Sequence, residues 1–160
     1  MIPQKTLEQI AQDPKKYLLQ CYRLDERIRI KNERISRLYQ ISTQITSTIK
    51  AVSAYTGPTD KIGNCVLEIA SLQEELSEDI NKLLAQQRET TLIIEELIPN
   101  HIQRSIIEAR YIANMPWEQI AYEFHYAYRW TFRLHKYGLA SMKAEAERRL
   151  KEWDDELPRT

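Results

Sequence analysis

The stretch RYIANMPWEQIAYEFHYAYRWTFRLHKYGL, residues 110–139, is the most informative part of this chain. Pro116 suits the first turn of a helix, where its missing N–H costs nothing. Apolar residues then repeat at helical spacing on both sides of a corner at residues 125–127: Ile120, Ala121 and Phe124 before it, Thr131, Leu134 and Gly138 after it. Two short amphipathic helices joined by a tight corner are typical of a helix-turn-helix, whose second helix lies in the DNA major groove.

The second of these helices is predicted to present basic and aromatic side chains on the face opposite its apolar residues. Arginine near the start of such a helix can bind guanine edges with its forked guanidinium, so Arg129 and Arg133 are candidates for reading bases. Lys136 and Arg104 are expected to contact phosphate. The full set of expected DNA contacts is Tyr128, Arg129, Phe132, Arg133, Lys136 and Arg104. The alternative is that Tyr128, Trp130 and Phe132 form an aromatic stripe for a protein partner. Trp130 fits neither face well and does not decide between the two interpretations.

The same stretch resembles the C-terminal part of a family of small phage and prophage proteins, which is similar to region 4 of bacterial sigma factors. The resemblance rests on Arg110-Tyr111, on MPWEQIA at 115–121, on Tyr126 and on RLH at 133–135. The N-terminal half of that family is a long helical hairpin whose second arm opens on Asp-Lys-Ile, and this chain has Asp60-Lys61-Ile62. The resemblance implies a regulator of phage late or packaging genes.

Three residues depart from the family pattern. His125 stands where the family has glycine, so we expect it to adopt the backbone conformation that this corner demands, including φ > 0. Ala127 replaces the serine that precedes the second helix, which removes a side-chain cap worth roughly 1 kcal/mol. Thr131 replaces an apolar β-branched residue of the core. The apolar and aromatic residues that pack the corner remain: Phe124, Tyr126 and Leu134.

Two long helices are predicted before this module. The first starts after Asp13 and Pro14 and runs to about residue 53, and the second runs from Asp60 to about residue 98, after a turn at Gly57-Pro58. Heptad spacing predicts a coiled-coil-like seam on each helix. The seam positions of the first are Tyr17, Cys21, Leu24, Ile28, Lys31, Ile35, Leu38, Ser42, Ile45 and Ile49. Those of the second are Ile62, Val66, Ile69, Gln73, Leu76, Ile80, Leu83, Gln87, Thr90, Ile94 and Leu97.

The formal net charge is zero, but the charges are separated along the chain. Residues 14–50 carry nine Lys/Arg against three Asp/Glu, and residues 60–98 carry three against nine, so we expect the long helices to lie side by side. Residues 101–143 carry six basic against three acidic groups, which leaves the basic surface in the C-terminal module.

The second long helix has more apolar residues than one partner helix can cover. We therefore expect the chain to associate with itself through Ile69, Leu76, Ile80 and Leu83. The alternative is that the surplus packs against the C-terminal module of the same chain.

The chain is thus predicted to be all-α. A long antiparallel helical hairpin, preceded by a short helix around residues 6–12, occupies residues 1–98, and a small helix-turn-helix domain with a helical tail occupies 99–160. The three glycines, six prolines and 29% of charged residues favour helices over strands. No segment reaches the roughly 18 apolar residues of a membrane helix, and the N-terminus lacks a signal-peptide core, so we expect the cytoplasm of a bacterial host and no membrane partner. Cys21 and Cys65 are expected to be free thiols.

No group of residues indicates catalysis. The three histidines lack the spacing of metal ligands, and the glycines at 57 and 63 lack the GK[ST] ending of a phosphate loop, so we expect no enzyme activity, cofactor or metal. We expect a transcription regulator of phage late or packaging genes that binds double-stranded DNA as a homo-oligomer. RNA polymerase or another phage or host regulatory protein is a further expected partner. Two alternatives stay open, a DNA-packaging recognition subunit resembling a small terminase and a protein-interaction module with a degenerate helix-turn-helix.

Overall fold

The computed structural model describes residues 1–51 and 59–156, and these residues form helices with short connections. Helix α1 spans Gln4–Gln12, α2 Pro14–Ala51, α3 Thr59–Leu97, α4 His101–Tyr111, α5 Trp117–Glu123 and α6 Tyr128–Glu156. Neither described range contains a strand, and the predicted all-α class is confirmed. Within these ranges no helix is both long enough and apolar enough to cross a membrane. The predicted turn at Gly57-Pro58 lies outside the described residues.

Two of the helices begin at side-chain caps, and the cap of α2 matches the sequence signal at Asp13. The carboxylate of Asp13 accepts a hydrogen bond from the backbone N–H of Lys16 at 3.0 Å, so Pro14 occupies the first turn of α2. The side chain of Asn100 accepts from the backbone N–H groups of Ile102 and Gln103 at 3.0 and 3.1 Å. Asn100 therefore separates α3 from α4 just after Pro99.

The chain divides into two compact units, Met1–Arg23 with Ala85–Thr160, and Leu24–Leu84. The core of the first unit joins apolar side chains from both ends of the chain, and Leu150 and Trp153 of α6 pack against it. Its fully buried members include Leu7, Ile10, Leu18, Ile94, Leu97, Ile98, Ile107 and Met142. The boundary predicted between residues 98 and 99 falls inside this core, because α1 and the adjoining ends of α2 and α3 bury their apolar faces together with α4 and α6.

In the second unit, α2 and α3 run antiparallel. Ile35 of α2 packs with Ile69 and Leu72 of α3, and Leu38 and Leu76 pack against that cluster. Arg34 of α2 pairs with Glu68 of α3. The inward positions of α2 match the predicted heptad frame from Tyr17 to Ser42. The predicted positions Ile45 and Ile49 lie outside the side chains that the structure describes.

The predicted frame of α3 is wrong at three positions, Val66, Gln73 and Ile80. Towards the C-terminal end it is right, since Thr90, Ile94 and Leu97 are all buried. Ile69 and Leu83 are buried as expected, but Val66 and Ile80, which were predicted to face inward, are 56% and 39% exposed. Gln73 is exposed as well. The inward places belong to their N-terminal neighbours, the half-buried Cys65 and the buried Leu72 and Asp79.

Asp79 takes an inward position because α2 supplies cations to it. Lys31 Nζ donates to Asp79 Oδ2 at 2.6 Å, and an Arg27 guanidinium nitrogen donates to Oδ1 at 3.3 Å. The hydrogen bond from Lys31 holds the pKa of the Asp79 carboxyl below its usual range. Lys31 also lies 3.2 Å from a carboxylate oxygen of Glu75. The expectation that oppositely charged helices lie side by side is confirmed in this unit.

Three of the four residues expected to mediate self-association lie within the chain's own packing. Ile69 and Leu83 are buried, and Leu76 packs against the Ile35 cluster. Self-association therefore stays a prediction, and of the four residues Ile80 is the one that the folded chain leaves exposed.

Both cysteines are free thiols, as expected. Cys21 is buried, with its Sγ 3.6 Å from Thr90 Oγ1, and Cys65 is half-buried. Burial raises the pKa of the Cys21 thiol. Because the reactive form of a cysteine is the thiolate, Cys21 is a packing residue.

Candidate nucleic-acid interface

A small apolar core fixes α5 and α6 against α4. Ile106 and Ala109 of α4 pack with Ile120 of α5 and Leu134 of α6. Partly buried side chains close this cluster on its margin: Ile102, Met115, Trp117, Phe124 and Tyr126. The residues that the sequence predicted to pack the corner therefore do so.

The corner between α5 and α6 has the hydrogen bonds of a Schellman motif. The backbone N–H of Tyr126 donates to the carbonyl of Ala121 at 3.0 Å, and that of His125 donates to Tyr122 at 3.2 Å. His125 has φ of 57°, in the left-handed region that glycine adopts most readily. The conformation expected of His125 is confirmed, and the corner keeps its geometry without a glycine.

The inward side of α6 starts directly after this corner. Ala127 has no side-chain acceptor, and its carbonyl accepts from the backbone N–H groups of Trp130 and Thr131 at 2.9 and 3.0 Å. Thr131, Leu134 and Gly138 are all buried, as the sequence predicted. A Cβ at Gly138 would lie 2.5 Å from Ile107 Cδ1 and 3.3 Å from Gln103 Cβ, so the glycine permits the close approach of α4 and α6.

A cluster of packed rings lies on the buried side of the first turns of α6. His135 is buried, and a hydrogen bond of 2.9 Å joins its Nε2 to the hydroxyl of Tyr111. The Trp117 ring meets the rings of His135 and Phe132 edge-on, with centroids 4.7 and 5.2 Å apart, and the Arg110 guanidinium lies 5.0 Å from the Trp117 centroid. Burial, reinforced by nearby cations, lowers the pKa of His135 to about 4, so the ring is neutral at physiological pH. His135 is a structural residue of this site.

The outward side of α6 is basic. Arg129, Arg133 and Lys136 are all exposed, and their spacing places them on one helix face, opposite Thr131 and Gly138. We call these three residues the basic face. No Asp or Glu occurs between residues 124 and 144, so no acidic neighbour on α6 itself compensates their charge.

Aromatic side chains flank the basic face. Trp130 and Tyr137 are 42% and 49% exposed, and the Arg133 guanidinium lies 5.8 Å from the Trp130 centroid. Lys136 Nζ lies 5.2 Å from the centroid of Phe132, whose edge also packs on Trp117. Phe132 is therefore shared between the core and the surface. Sequence reasoning missed Tyr137, although its distance of seven residues from Trp130 places both on one side of the helix.

Arg104 is not brought together with the other expected DNA contacts. It is half-buried on α4, and its Nε is buried without a hydrogen-bond partner in the described ranges. Burial raises the pKa of the Glu108 carboxyl on the same helix, and the charge of Arg104 opposes that rise. The geometry thus supports Tyr128, Arg129, Phe132, Arg133 and Lys136 as one surface, with Trp130 and Tyr137 added and Arg104 apart.

The part of the chain that the structure describes contains no cluster of three or more His, Cys, Asp or Glu side chains able to hold a metal ion. Within the candidate interface the charged groups at the surface are the three cations, and His135 lies underneath with its ring neutral. What this arrangement can do chemically is to bind an anion over an extended surface.

Comparison with known proteins gives no relative from which a role could be transferred. No protein family matches the chain, no curated protein matches it, and no solved structure matches it. The candidate interface is therefore defined by its own residues and geometry.

Proposed function

We propose that this chain is a DNA-binding regulator of phage or prophage late or packaging genes, acting in the bacterial cytoplasm by binding and not by catalysis. In this proposal α5, the corner and α6 form a helix-turn-helix with α6 as recognition helix, and the antiparallel α2 and α3 form a helical hairpin. The observation that carries the proposal is the uncompensated basic face on the outward side of α6, opposite a buried side that is anchored to α4 and α5. The resemblance over residues 110–139 supports the phage context.

The spacing of the basic face suits base reading. Arg129 and Arg133 are four residues apart, so their side chains leave the helix about 6 Å apart along its axis. That distance corresponds to about two base-pair steps of the duplex. Each guanidinium can donate two parallel hydrogen bonds to O6 and N7 of a guanine in the major groove. Lys136 lies one turn further along and suits a phosphate, because its ammonium is a point charge and lacks the paired, planar donors of a guanidinium.

The flanking rings allow a second reading of the same surface. Tyr128, Trp130 and Tyr137 are large exposed aromatics, and such residues are enriched where proteins bind proteins. The interleaved cations favour nucleic acid, since Arg133 and Lys136 are exposed and each lies over a ring. RNA polymerase or another regulatory protein remains a proposed additional partner.

Alanine substitutions on the basic face should separate base reading from phosphate contact. Arg129→Ala or Arg133→Ala should each cost roughly 1–3 kcal/mol of binding free energy and relax the sequence preference at one or two base pairs. Lys136→Ala should weaken binding evenly across sequences and lower the salt slope by about one unit. The measurement is selection of sites from random duplexes by the full chain, followed by mobility shifts at two salt concentrations.

Lys5→Ala is the matched control, because Lys5 is an exposed cation on α1 and not on the helix that carries the basic face. It should leave both affinity and sequence preference unchanged. Circular dichroism should show all four variants folded, since each altered side chain is exposed. Equal binding by the wild type and the double variant Arg129→Ala/Arg133→Ala would assign the surface to a protein partner instead.

A further inference from the structure

The exposed side of α3 in the Leu24–Leu84 unit carries a stripe without charged residues. Its members follow one another at spacings of three or four residues, so they share one helix face. All are exposed in the chain, with Val66 at 56% and Leu84 at 46%. They are Val66, Ala70, Gln73, Ser77, Ile80 and Leu84, and we call them the α3 stripe.

Neighbouring side chains add to the apolar character of this surface. The Tyr39 ring of α2 is half exposed, and its hydroxyl accepts a hydrogen bond from Gln73 Nε2 at 3.5 Å. Glu68 and Glu75 lie elsewhere on α3, where they pair with Arg34 and Lys31 of α2. The stripe is therefore an uncharged surface on a helix whose other sides are acidic.

The order of residues in the stripe is self-complementary under a twofold axis. If two copies of α3 cross antiparallel about residue 75, then Val66 faces Leu84 of the other copy. Ala70 then faces Ile80, a small residue against a large one, and Gln73 faces Ser77. The Ser77 hydroxyl can donate to Gln73 Oε1, because Gln73 Nε2 already points to Tyr39. One register thus satisfies every position of the stripe, as an isologous interface requires.

We propose that the α3 stripe is the self-association surface of this protein and that its occupant is the α3 stripe of a second copy. The stripe extends about 27 Å, from 18 residues of helix at 1.5 Å each. Charge favours this pairing over others, because the stripe carries no carboxylate while the remaining exposed side of α3 carries Glu74 and Glu78. The inference rests on the expectation that the chain forms a homo-oligomer and not on DNA binding, and it replaces Ile69, Leu76 and Leu83 as association residues.

A charge-pair experiment on the full chain tests both the surface and its register. Light scattering of the wild type without DNA, at micromolar concentration, should give twice the chain mass of 19.0 kDa. Ile80→Lys should give the monomer mass, since the ammonium would face Ala70 of the other copy. Ala70→Glu should also give the monomer mass. The double variant Ala70→Glu/Ile80→Lys should return to the dimer mass, because each new carboxylate would face a new ammonium across the twofold axis.

Ile30→Lys is the matched control, since Ile30 is 54% exposed on α2 and lies outside the stripe, and it should stay dimeric. A monomeric wild type would overturn the inference, and so would a dimer that survives Ile80→Lys. A double variant that stays monomeric although circular dichroism shows it helical would overturn the register about residue 75. Because association is measured without DNA, none of these results bears on whether the basic face binds DNA.

Discussion

Ile120→Ala should lower the free energy of unfolding by about 2–5 kcal/mol, the range for removing a buried isoleucine side chain. Ile120 is fully buried and packs with Ile106, Ala109 and Leu134, so it is the central apolar contact of α5 with α4 and α6. The substitution leaves a cavity where three helices meet. Urea unfolding followed by circular dichroism measures the loss. DNA binding should fall in parallel, since the corner that orients α6 depends on α5.

Tyr122→Ala is the control for this prediction. Tyr122 lies two residues further along α5 but is 81% exposed, so its removal should change stability by no more than about 0.5 kcal/mol. Equal losses of unfolding free energy from the two substitutions would mean that the Ile120 side of α5 does not anchor this helix. That result would also remove the basis for a fixed orientation of α6.

Acid should destabilise the fold through His135 as pH falls from 6.5 towards 4. Burial lowers the pKa of His135 from 6.5 to about 4, so between these values the unfolded chain binds a proton that the folded chain excludes. Stability from this residue is fully present above pH 6.5 and is lost as pH falls towards 4. At 1.36 kcal/mol per pKa unit the loss is about 3 kcal/mol. The Asp79 contribution, whose pKa is lowered, is lost only at still lower pH.

His135→Gln should flatten the pH dependence of unfolding between pH 4 and 6.5, because glutamine keeps a polar group near Tyr111 and does not titrate. His101→Gln is the comparison, since His101 is exposed at the start of α4 and its replacement should leave the wild-type slope in place. Urea unfolding across this pH range supplies both slopes. An unchanged slope in His135→Gln would show that His135 is not the group that couples folding to protons here.

Local patterns in the sequence predict the candidate interface well. The spacing of Thr131, Leu134 and Gly138 identifies the buried side of α6, and the basic face follows as its opposite. The resemblance predicted φ > 0 at His125, where the family has glycine, and the structure has it because a Schellman motif needs that conformation whatever residue occupies it. Arg104 shows the limit of such reasoning, since its local sequence does not predict whether its side chain faces the solvent or another part of the protein.

Helix α3 shows where hydrophobic periodicity fails. The predicted heptad frame and the observed one share Ile69, Leu76 and Leu83. They differ only at the positions between these residues. Apolarity ranks Ile80 above Asp79 as an inward residue, yet Asp79 is buried, because Lys31 and Arg27 of a distant segment neutralise it. The division into units was missed for a related reason. The first core joins residues from both ends of the chain, and a periodicity within one helix carries no information about which other helix covers it.

The central claim is that α6 contacts DNA with its outward side, and the indole signals of the three tryptophans test it most directly. In a proton–nitrogen NMR spectrum of the labelled full chain, Trp130→Phe assigns the Trp130 signal and Trp153→Phe assigns that of Trp153. Trp130 flanks the basic face, whereas Trp153 packs against the core of the first unit. On titration with the selected duplex, the Trp130 signal should shift or broaden while the Trp153 signal stays in place. Saturated DNA binding with an unmoved Trp130 signal would contradict the account.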